Sequence, residues 1–307
     1  MQVGVILAHG MGDQGPDWAD GMIRSLETAT LRQLAALLPE APPRSIRDVL
    51  RVGRFDWGRA LQARQLELYR ILARARAPST VASGFWATLG AWVGYALRVA
   101  EAKFVSEFIG DVIGYVDSGA RARIYAELTG ELDRLAVEAT AGDGKLPVTL
   151  VAHSLGTVIS SDYVWDQAKA RAGRGQRGFH ERLELANVFT VGSPLALFSL
   201  RYGGPEAFNQ PIAVESPRGR WVNVYDEDDP VGMPLKPLNA AYDRAVWKDA
   251  HVESGPYLLA HTGYFSKPGT LAIISRKLAL DWIALNRHLP PARQGELDAA
   301  YDSTLGL

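Results

Sequence analysis

The chain has 307 residues, a length for which about two domains are the usual expectation. Hydrophobic residues make up 47% and charged residues 22%, so a sizeable core can form and general disorder is excluded. The formal net charge is -1, from 33 Lys and Arg against 34 Asp and Glu, which argues against electrostatic binding of nucleic acid. Because the chain has no cysteine, disulfides, thiolate metal sites and a cysteine nucleophile are excluded.

The first residues, Met1 to Leu7, carry no basic leader before their apolar run. The run is also too short for the core of a signal peptide. The lack of cysteine does not decide the compartment, because a cysteine-free protein is stable in both redox regimes. We therefore expect a buried first strand and a cytoplasmic protein.

Short apolar runs alternate with segments of helical periodicity along the chain. A helix with the apolar residues Ile23, Leu26 and Leu34 follows the first strand, and Pro42 and Pro43 end it. The predicted strands are Val3 to Ala8, Val49 to Phe55, Val148 to Ala152, Asn187 to Val191 and Trp221 to Tyr225, and a final helix is predicted over about Leu271 to Leu285. This alternation predicts an α/β fold in which helices cover a parallel sheet.

The segment from Val148 to Gly156 places a serine between a buried strand and a helix. Ser154 has Ala152 two residues before it and Gly156 two residues after it, so the G-x-S-x-G pattern takes the form A-x-S-x-G. In a nucleophile elbow, a strained turn lifts the serine hydroxyl above the sheet edge, and larger side chains at those two positions would collide with backbone. The pattern therefore predicts Ser154 as a nucleophile. The alternative is an ordinary strand-to-helix turn that Ser154 caps.

Four consecutive acids, Asp226 to Asp229, follow the predicted strand Trp221 to Tyr225. We call this segment the acidic loop. A serine nucleophile needs a base that takes its proton and a third group that orients the base. We favour Asp229 as the orienting acid, because Pro230 biases it to an extended backbone that suits a fixed loop. Asp226 and Asp228 remain alternatives.

Six histidines are available for the base, and two of them lie between the acidic loop and the last predicted helix. His261 comes shortly before that helix, where the closing histidine loop of such a site is expected. His251 lies in a short segment that has the pattern of a strand. We favour His261 as the general base and keep His251 as the alternative.

The charge that develops on a substrate carbonyl requires two backbone N–H donors, which form an oxyanion hole. One is the N–H of Leu155, which opens a helix whose dipole adds to the effect. The other is expected from the glycine-rich loop after the first strand, where we favour Met11. That loop could also be a plain connector between strand and helix. The turns that support the site are predicted at His9, Gly10, Ala152 and Gly156.

On these motifs the chain resembles the α/β-hydrolases, and among them the serine esterases and lipases. The motifs follow the order of that family, namely His9-Gly10, Ala152-His153-Ser154-Leu155-Gly156, Val191-Gly192-Ser193-Pro194-Leu195, Asp229-Pro230-Val231 and His261. The resemblance implies a three-layer α/β-hydrolase sandwich with a reduced, mostly parallel sheet of about six strands, because the first strand already leads to the oxyanion loop. It also implies two-step hydrolysis with Ser154, His261 and Asp229, without a metal or an organic cofactor.

Residues 56–116 are not covered by the resemblance. We expect them to form a helical cap or lid that is inserted into a single domain of residues 1–307. The segment from Ala77 to Leu97 has the length of a membrane span and no formal charge, but proline, glycine and hydroxyl residues dilute its hydrophobicity. A single crossing would also separate the oxyanion loop from Ser154, so we predict no transmembrane span.

The aromatic residues of the expected cap leave two alternatives open. They could line an acyl pocket and touch a lipid surface, or they could pack the cap onto the core. The first alternative predicts that polar replacements of Trp86 and Trp92 impair long-chain esters more than short ones. It also predicts a peripheral contact with membranes or lipid surfaces.

The predicted function is hydrolysis of carboxylic esters that carry an apolar acyl chain, with a small-molecule or lipid ester as the partner and no nucleic acid. An acyltransferase or a thioesterase that uses the same residues is an alternative. A non-catalytic binding or scaffold protein with the hydrolase fold is another. The presence of nucleophile, acid, base and oxyanion glycines on one chain argues against the last alternative.

Overall fold

A computed structural model describes residues 1–10, 19–57, 115, 118–138, 144–256, 259–287 and 290–306. The expected oxyanion donor Met11 and nearly all of the expected cap, including Trp86 and Trp92, lie outside the described residues. The cap, its function as a lid and a single domain over the whole chain therefore stay predictions.

Six strands form one sheet in the described part of the chain. They are β1 (Val3–Ala8), β2 (Leu50–Phe55), β3 (Leu146–His153), β4 (Leu183–Val191), β5 (Arg220–Tyr225) and β6 (Lys248–His251). Their order across the sheet is β2-β1-β3-β4-β5-β6, and every neighbouring pair is parallel. The predicted parallel sheet of about six strands is confirmed.

Eight α-helices accompany the sheet within the described residues. They are α1 (Asp20–Leu37), α2 (Ser118–Glu138), α3 (Leu155–Ala172), α4 (Leu195–Phe198), α5 (Ala240–Ala245), α6 (Ala260–Gly263), α7 (Pro268–Asn286) and α8 (Pro291–Thr304). Short 3₁₀ turns occur at Ile46–Asp48, Ser199–Tyr202, Lys236–Leu238 and Tyr264–Ser266.

Two hydrophobic cores lie on opposite faces of the sheet, because successive side chains of a strand point to opposite sides. In β1, Val3, Val5 and Leu7 belong to the core that α1 and α7 cover. Ile6 and Ala8 belong to the core that α2 and α3 cover. Both faces of the strands are thus buried, which explains their near-continuous apolar runs and gives the three-layer α/β sandwich expected from the sequence.

Polar residues account for the differences between predicted and observed elements. β4 begins at Leu183 rather than at Asn187, because Glu184 interrupts the apolar run that the prediction relied on. Asn187 itself is buried, and its amide donates to the Thr149 hydroxyl at 2.9 Å. Helix α8 is missing from the predictions, since few of its residues are apolar.

The parallel arrangement places the carboxyl ends of the strands at one edge of the sheet, where α/β proteins bind their ligands. The strand register sets Ala8 opposite Ala152, and Val191 opposite both His153 and Val224. The segments after β1, β3, β4 and β5 therefore leave the sheet side by side. The motifs predicted from the sequence lie in these segments and in α6, which follows β6.

Candidate active site

Ser154 forms the turn between β3 and α3 by itself. Its backbone angles are φ 51° and ψ -131°, and it is the only non-glycine residue with a positive φ in the described ranges. Its N–H donates to the carbonyl of Val191 at 2.9 Å, and its own carbonyl accepts from the Thr157 hydroxyl at 2.7 Å. A non-glycine residue in such a region costs about 1–3 kcal/mol and persists only where its surroundings fix it. The local geometry resembles the strained strand-to-helix turn of a nucleophile elbow, and we call this turn the elbow.

The small residues around Ser154 allow the elbow to pack against the end of β1. Ala152 stands opposite Ala8 in the β1–β3 ladder. At Gly156 a Cβ atom would overlap the carbonyl oxygen of His9, so only glycine fits there without a backbone shift. Gly10 also packs closely against this turn, because a Cβ atom on it would stand 2.6 Å from Nδ1 of His153.

His261 lies between the Ser154 hydroxyl and the Asp229 carboxylate. Its Nε2 is 2.7 Å from Oγ of Ser154, and its Nδ1 is 3.0 Å and 2.9 Å from the two carboxylate oxygens of Asp229. The side chains of His261 and Asp229 are both fully buried, as is Ser154. Three residues that are far apart in the sequence thus form one hydrogen-bonded line. This is the geometry by which a base can take a proton from a serine while an acid orients the base.

Asp229 stays acidic although it is buried. Burial raises the pKa of a carboxyl group, but here hydrogen bonds outweigh burial and hold the pKa of Asp229 below its ordinary value. The donors are His261, the N–H of Val231 at 3.0 Å and the hydroxyl of Tyr264 at 2.8 Å. At neutral pH the side chain of Asp229 is therefore a carboxylate, which can only accept these hydrogen bonds.

The alternatives from the sequence lie elsewhere. The carboxylate of Asp226 accepts from both the N–H and the hydroxyl of Ser254, at 2.5 Å and 2.7 Å. Asp228 is exposed, and its N–H donates to Asp226 at 2.9 Å. His251 is exposed at the end of β6, where its ring contacts Tyr225 edge to face. None of the three has a hydrogen bond to Ser154 or His261 within the described residues.

His153, which directly precedes Ser154, supports the histidine loop. Its Nε2 is 2.7 Å from the carbonyl oxygen of His261, so the ring nitrogen donates this hydrogen bond. Burial is the main cause that lowers the pKa of His153 to about 3, and the nearby His261 adds to the effect. His153 is therefore neutral at physiological pH and adds no positive charge to the site.

The expected oxyanion hole is only partly within the described residues. Leu155 is the first residue of α3, and the first N–H groups of a helix have no partner inside the helix. On the β1 side, His9 stacks on Trp57 with ring centroids 4.9 Å apart, and the Trp57 indole donates to the His9 carbonyl at 2.9 Å. These contacts fix the chain at His9, two residues before Met11.

Several residues of the site were not found by sequence reasoning. Tyr264 and Ser254 contact the acidic loop from positions far along the chain, and no local pattern signals such contacts. Ser193 could be found from the sequence, because it lies in the motif Val191-Gly192-Ser193-Pro194-Leu195 that ends β4 and follows it. Its hydroxyl is 2.8 Å from that of Thr157 and ties that segment to the elbow helix.

No helix in the described parts of the chain is long and apolar enough to cross a membrane. The described residues also contain no group of three or more His, Asp and Glu side chains that could hold a metal ion.

No family model matches the chain. A probable mitochondrial phospholipase of Schizosaccharomyces pombe is 26% identical in an alignment of 156 positions, which covers 44% of this chain and 20% of the yeast protein. The chain is distantly similar to a phospholipase. The chain spans about a fifth of the length of this curated relative. The similarity supports a lipase-like hydrolase, and it names no site residue.

Proposed function

We propose that the chain is a serine hydrolase of the α/β-hydrolase superfamily that cleaves carboxylic esters. The observation that carries the proposal is the position of His261, hydrogen-bonded to the Ser154 hydroxyl on one side and to the buried Asp229 carboxylate on the other. The positive φ of Ser154 and the distant similarity to a phospholipase support it independently.

The first half-reaction would transfer the acyl group to the enzyme. Oγ of Ser154 attacks the ester carbonyl, and Nε2 of His261 takes the hydroxyl proton. The resulting imidazolium is stabilised by the Asp229 carboxylate, which also fixes the tautomer with its proton on Nδ1. When the tetrahedral intermediate collapses, His261 gives its proton to the alcohol, which leaves, and Ser154 holds the acyl group as an ester.

The second half-reaction repeats these steps with water. His261 takes a proton from a water molecule that attacks the acyl-enzyme, and it returns the proton to Oγ of Ser154 as the acid leaves. In both halves, the N–H of Leu155 and, in our proposal, that of Met11 stabilise the negative charge on the carbonyl oxygen. The fixed N–H groups need no reorganisation as the charge develops.

A lipid ester is the proposed substrate class, because the yeast relative is named a phospholipase. We propose that residues 56–116 form the cap of the single domain and contact the acyl chain or a lipid surface. Cleavage of thioesters and transfer of the acyl group to an alcohol would use the same residues. The cytoplasmic location stays a prediction, and the name of the yeast relative is that of a mitochondrial protein.

Covalent labelling tests whether Ser154 is a nucleophile. A fluorophosphonate should react with the folded wild-type protein, and peptide mass analysis should find the adduct on Ser154. Ser154→Ala should not be labelled. Ser160→Ala is the matched control, because Ser160 is a buried serine of the same helix whose hydroxyl has no hydrogen-bond partner among the described residues. Folded wild-type protein that remains unlabelled would support the scaffold alternative.

A panel of esters and thioesters of increasing chain length tests the reaction itself. We expect Ser154→Ala to lower kcat by about 10⁴- to 10⁶-fold without loss of folding. Ser160→Ala should keep the wild-type rate within a factor of about three, because it removes no group from the site. Hydrolysis by Ser154→Ala at the wild-type rate would contradict the proposed function.

A further inference from the structure

Tyr264 connects the segment that carries His261 to the acidic loop. It begins the 3₁₀ turn directly after α6, three residues beyond His261, and it is fully buried. Its hydroxyl donates to Oδ2 of Asp229 at 2.8 Å and accepts from the N–H of Asp226 at 3.0 Å. One phenol group thus satisfies a carboxylate and a backbone amide at the same time, so the hydroxyl position is fixed from two sides.

The segment after β4 is shaped to admit this tyrosine. Gly192 has a φ of 53°, which a larger residue adopts only with strain. A Cβ atom on Gly192 would stand 2.7 Å from the ring of Tyr264 and 3.0 Å from Oδ2 of Asp229. Both the backbone conformation and the space at this position therefore favour the contact between the two side chains.

The hydroxyl of Tyr264 and the ring of His261 share one acceptor. Oδ2 of Asp229 lies 2.9 Å from Nδ1 of His261 and 2.8 Å from the phenol oxygen. Each donor draws on the same negative charge, so a hydrogen bond from one weakens the attraction for the other. Tyr264 is thereby placed to moderate how strongly Asp229 holds the imidazole.

Three described ionisable groups around this pair keep a constant charge near neutral pH. Burial and the neighbouring Asp229 raise the pKa of Tyr264 far above its ordinary value, so it stays a neutral donor. The pKa of Asp226 is below its ordinary value, because hydrogen bonds from Ser254 outweigh burial. His153 is neutral, as described above. Tyr264, Asp226 and His153 therefore contribute no change of charge of their own near neutral pH.

We propose that Tyr264 is a positioning residue of the proposed triad, and this inference rests on the proposed function for its catalytic meaning. By donating to Oδ2, Tyr264 fixes the carboxylate plane of Asp229 and takes up part of its charge. It thereby limits how basic His261 becomes and keeps the base able to return its proton to the leaving group.

The variant Tyr264→Phe tests the inference, because it keeps the ring and removes only the hydroxyl. Without that donor, Asp229 stabilises the imidazolium of His261 more strongly, so the pKa of His261 should rise by about 0.5–1 unit. The acid limb of the kcat/KM profile should move to higher pH by the same amount. In addition, kcat on the plateau should fall by about 3- to 10-fold, because the acid is less well fixed.

The titration of His261 can be followed by NMR in the full chain without any turnover. The chain has six histidines, and His261→Gln assigns the relevant imidazole signal by its loss. If wild type shows no ester hydrolysis but Tyr264→Phe still raises the pKa of His261, the proposed function fails and the electrostatic role of Tyr264 stands. If hydrolysis is present and the pKa of His261 is unchanged or lowered in Tyr264→Phe, the inference is wrong.

Two further variants separate this role from a purely structural one. Tyr163→Phe is the matched control, because Tyr163 is also buried and its hydroxyl is 2.9 Å from that of Thr129, away from the site. It should lower stability without moving the pKa of His261. Incorporation of 3-fluorotyrosine at position 264 keeps the shape and strengthens the donor, so the pKa of His261 should fall. A rise in pKa with the fluorinated residue would overturn the inference even if Tyr264→Phe failed to fold.

Discussion

The elbow after β3 presents Ser154 through one strained residue, whereas the loop after β5 presents Asp229 through hydrogen bonds from other segments. Ser154 takes a φ of 51° in a turn without further residues between strand and helix. The acidic loop has no residue of positive φ. Its shape depends instead on Ser254, which binds Asp226, and on Tyr264, which binds both Asp226 and Asp229.

The two segments differ in whether one residue or two residues determine the backbone shape and supply the proposed catalytic group. In the elbow, the strained residue is also the proposed nucleophile, so a single position carries both roles. In the acidic loop, Asp226 holds the backbone and Asp229 faces His261. Asp226 is also linked to the segment that carries His261 through Ser254. The Ser254 hydroxyl lies 2.7 Å from the Asp226 carboxylate and 2.7 Å from the carbonyl oxygen of Ala260, which precedes His261.

The largest effect that separates the two acids is expected for Asp229→Asn. The carboxylate accepts from His261, Val231 and Tyr264, and an amide would turn its NH₂ group towards at least one of these donors. His261 would then be pushed into the tautomer that cannot accept the Ser154 proton. We expect kcat for a short-chain nitrophenyl ester to fall by about 10³- to 10⁴-fold. A loss below tenfold, with the fold intact by circular dichroism, would show that Asp229 does not orient the base.

The sequence predicted what depends on local pattern. The apolar runs located the strands, and the short motif around Ser154 located the elbow, because small residues and strand-to-helix order are local requirements. Asp229 was favoured because Pro230 follows it, and His261 because it precedes the last helix; both have hydrogen bonds at the site.

Long-range contacts were beyond reach of the sequence pattern. Tyr264 and Ser254 meet the acidic loop from 28 to 38 residues away, and only the folded chain brings them there. The same limit applied to the choice between Asp226 and Asp229. Pro230 favoured Asp229, but nothing in the four consecutive acids shows that Asp226 binds Ser254.

A smaller effect, on stability rather than rate, is expected for Asp226→Asn. The amide could accept from Ser254 or from Asp228 but would leave another buried donor unmatched, so the free energy of unfolding should fall by about 1–3 kcal/mol. Because Asp226 faces Ser254 and not the base, kcat should stay within about tenfold of wild type. Chemical denaturation and ester kinetics on the same preparation measure both quantities. A loss in kcat as large as that of Asp229→Asn would mean that the two acids do not have separate roles.

The pH dependence of that difference gives a further check. The pKa of Asp226 is depressed in the folded protein, so its stabilising contribution is fully present above the unfolded pKa of about 3.9. It is lost as the pH falls through the folded value. The stability difference between wild type and Asp226→Asn should therefore be largest near neutral pH and shrink below about pH 4. A difference that is constant down to pH 2 would point to lost packing instead of lost hydrogen bonds to a carboxylate.

The smallest effect concerns the strain at Ser154. Both Ser154→Ala and Ser154→Gly remove the hydroxyl, but only glycine adopts a φ of 51° and a ψ of -131° without a clash of Cβ. If the elbow stores strain, Ser154→Gly should be more stable than Ser154→Ala by about 1–2 kcal/mol, although glycine gives the unfolded chain more freedom. Both variants should be equally inactive, which separates the energy of the turn from the chemistry of the hydroxyl. Equal or lower stability of the glycine variant in thermal unfolding would show that the surroundings hold the turn without appreciable strain, and the contrast with the hydrogen-bonded acidic loop would then disappear.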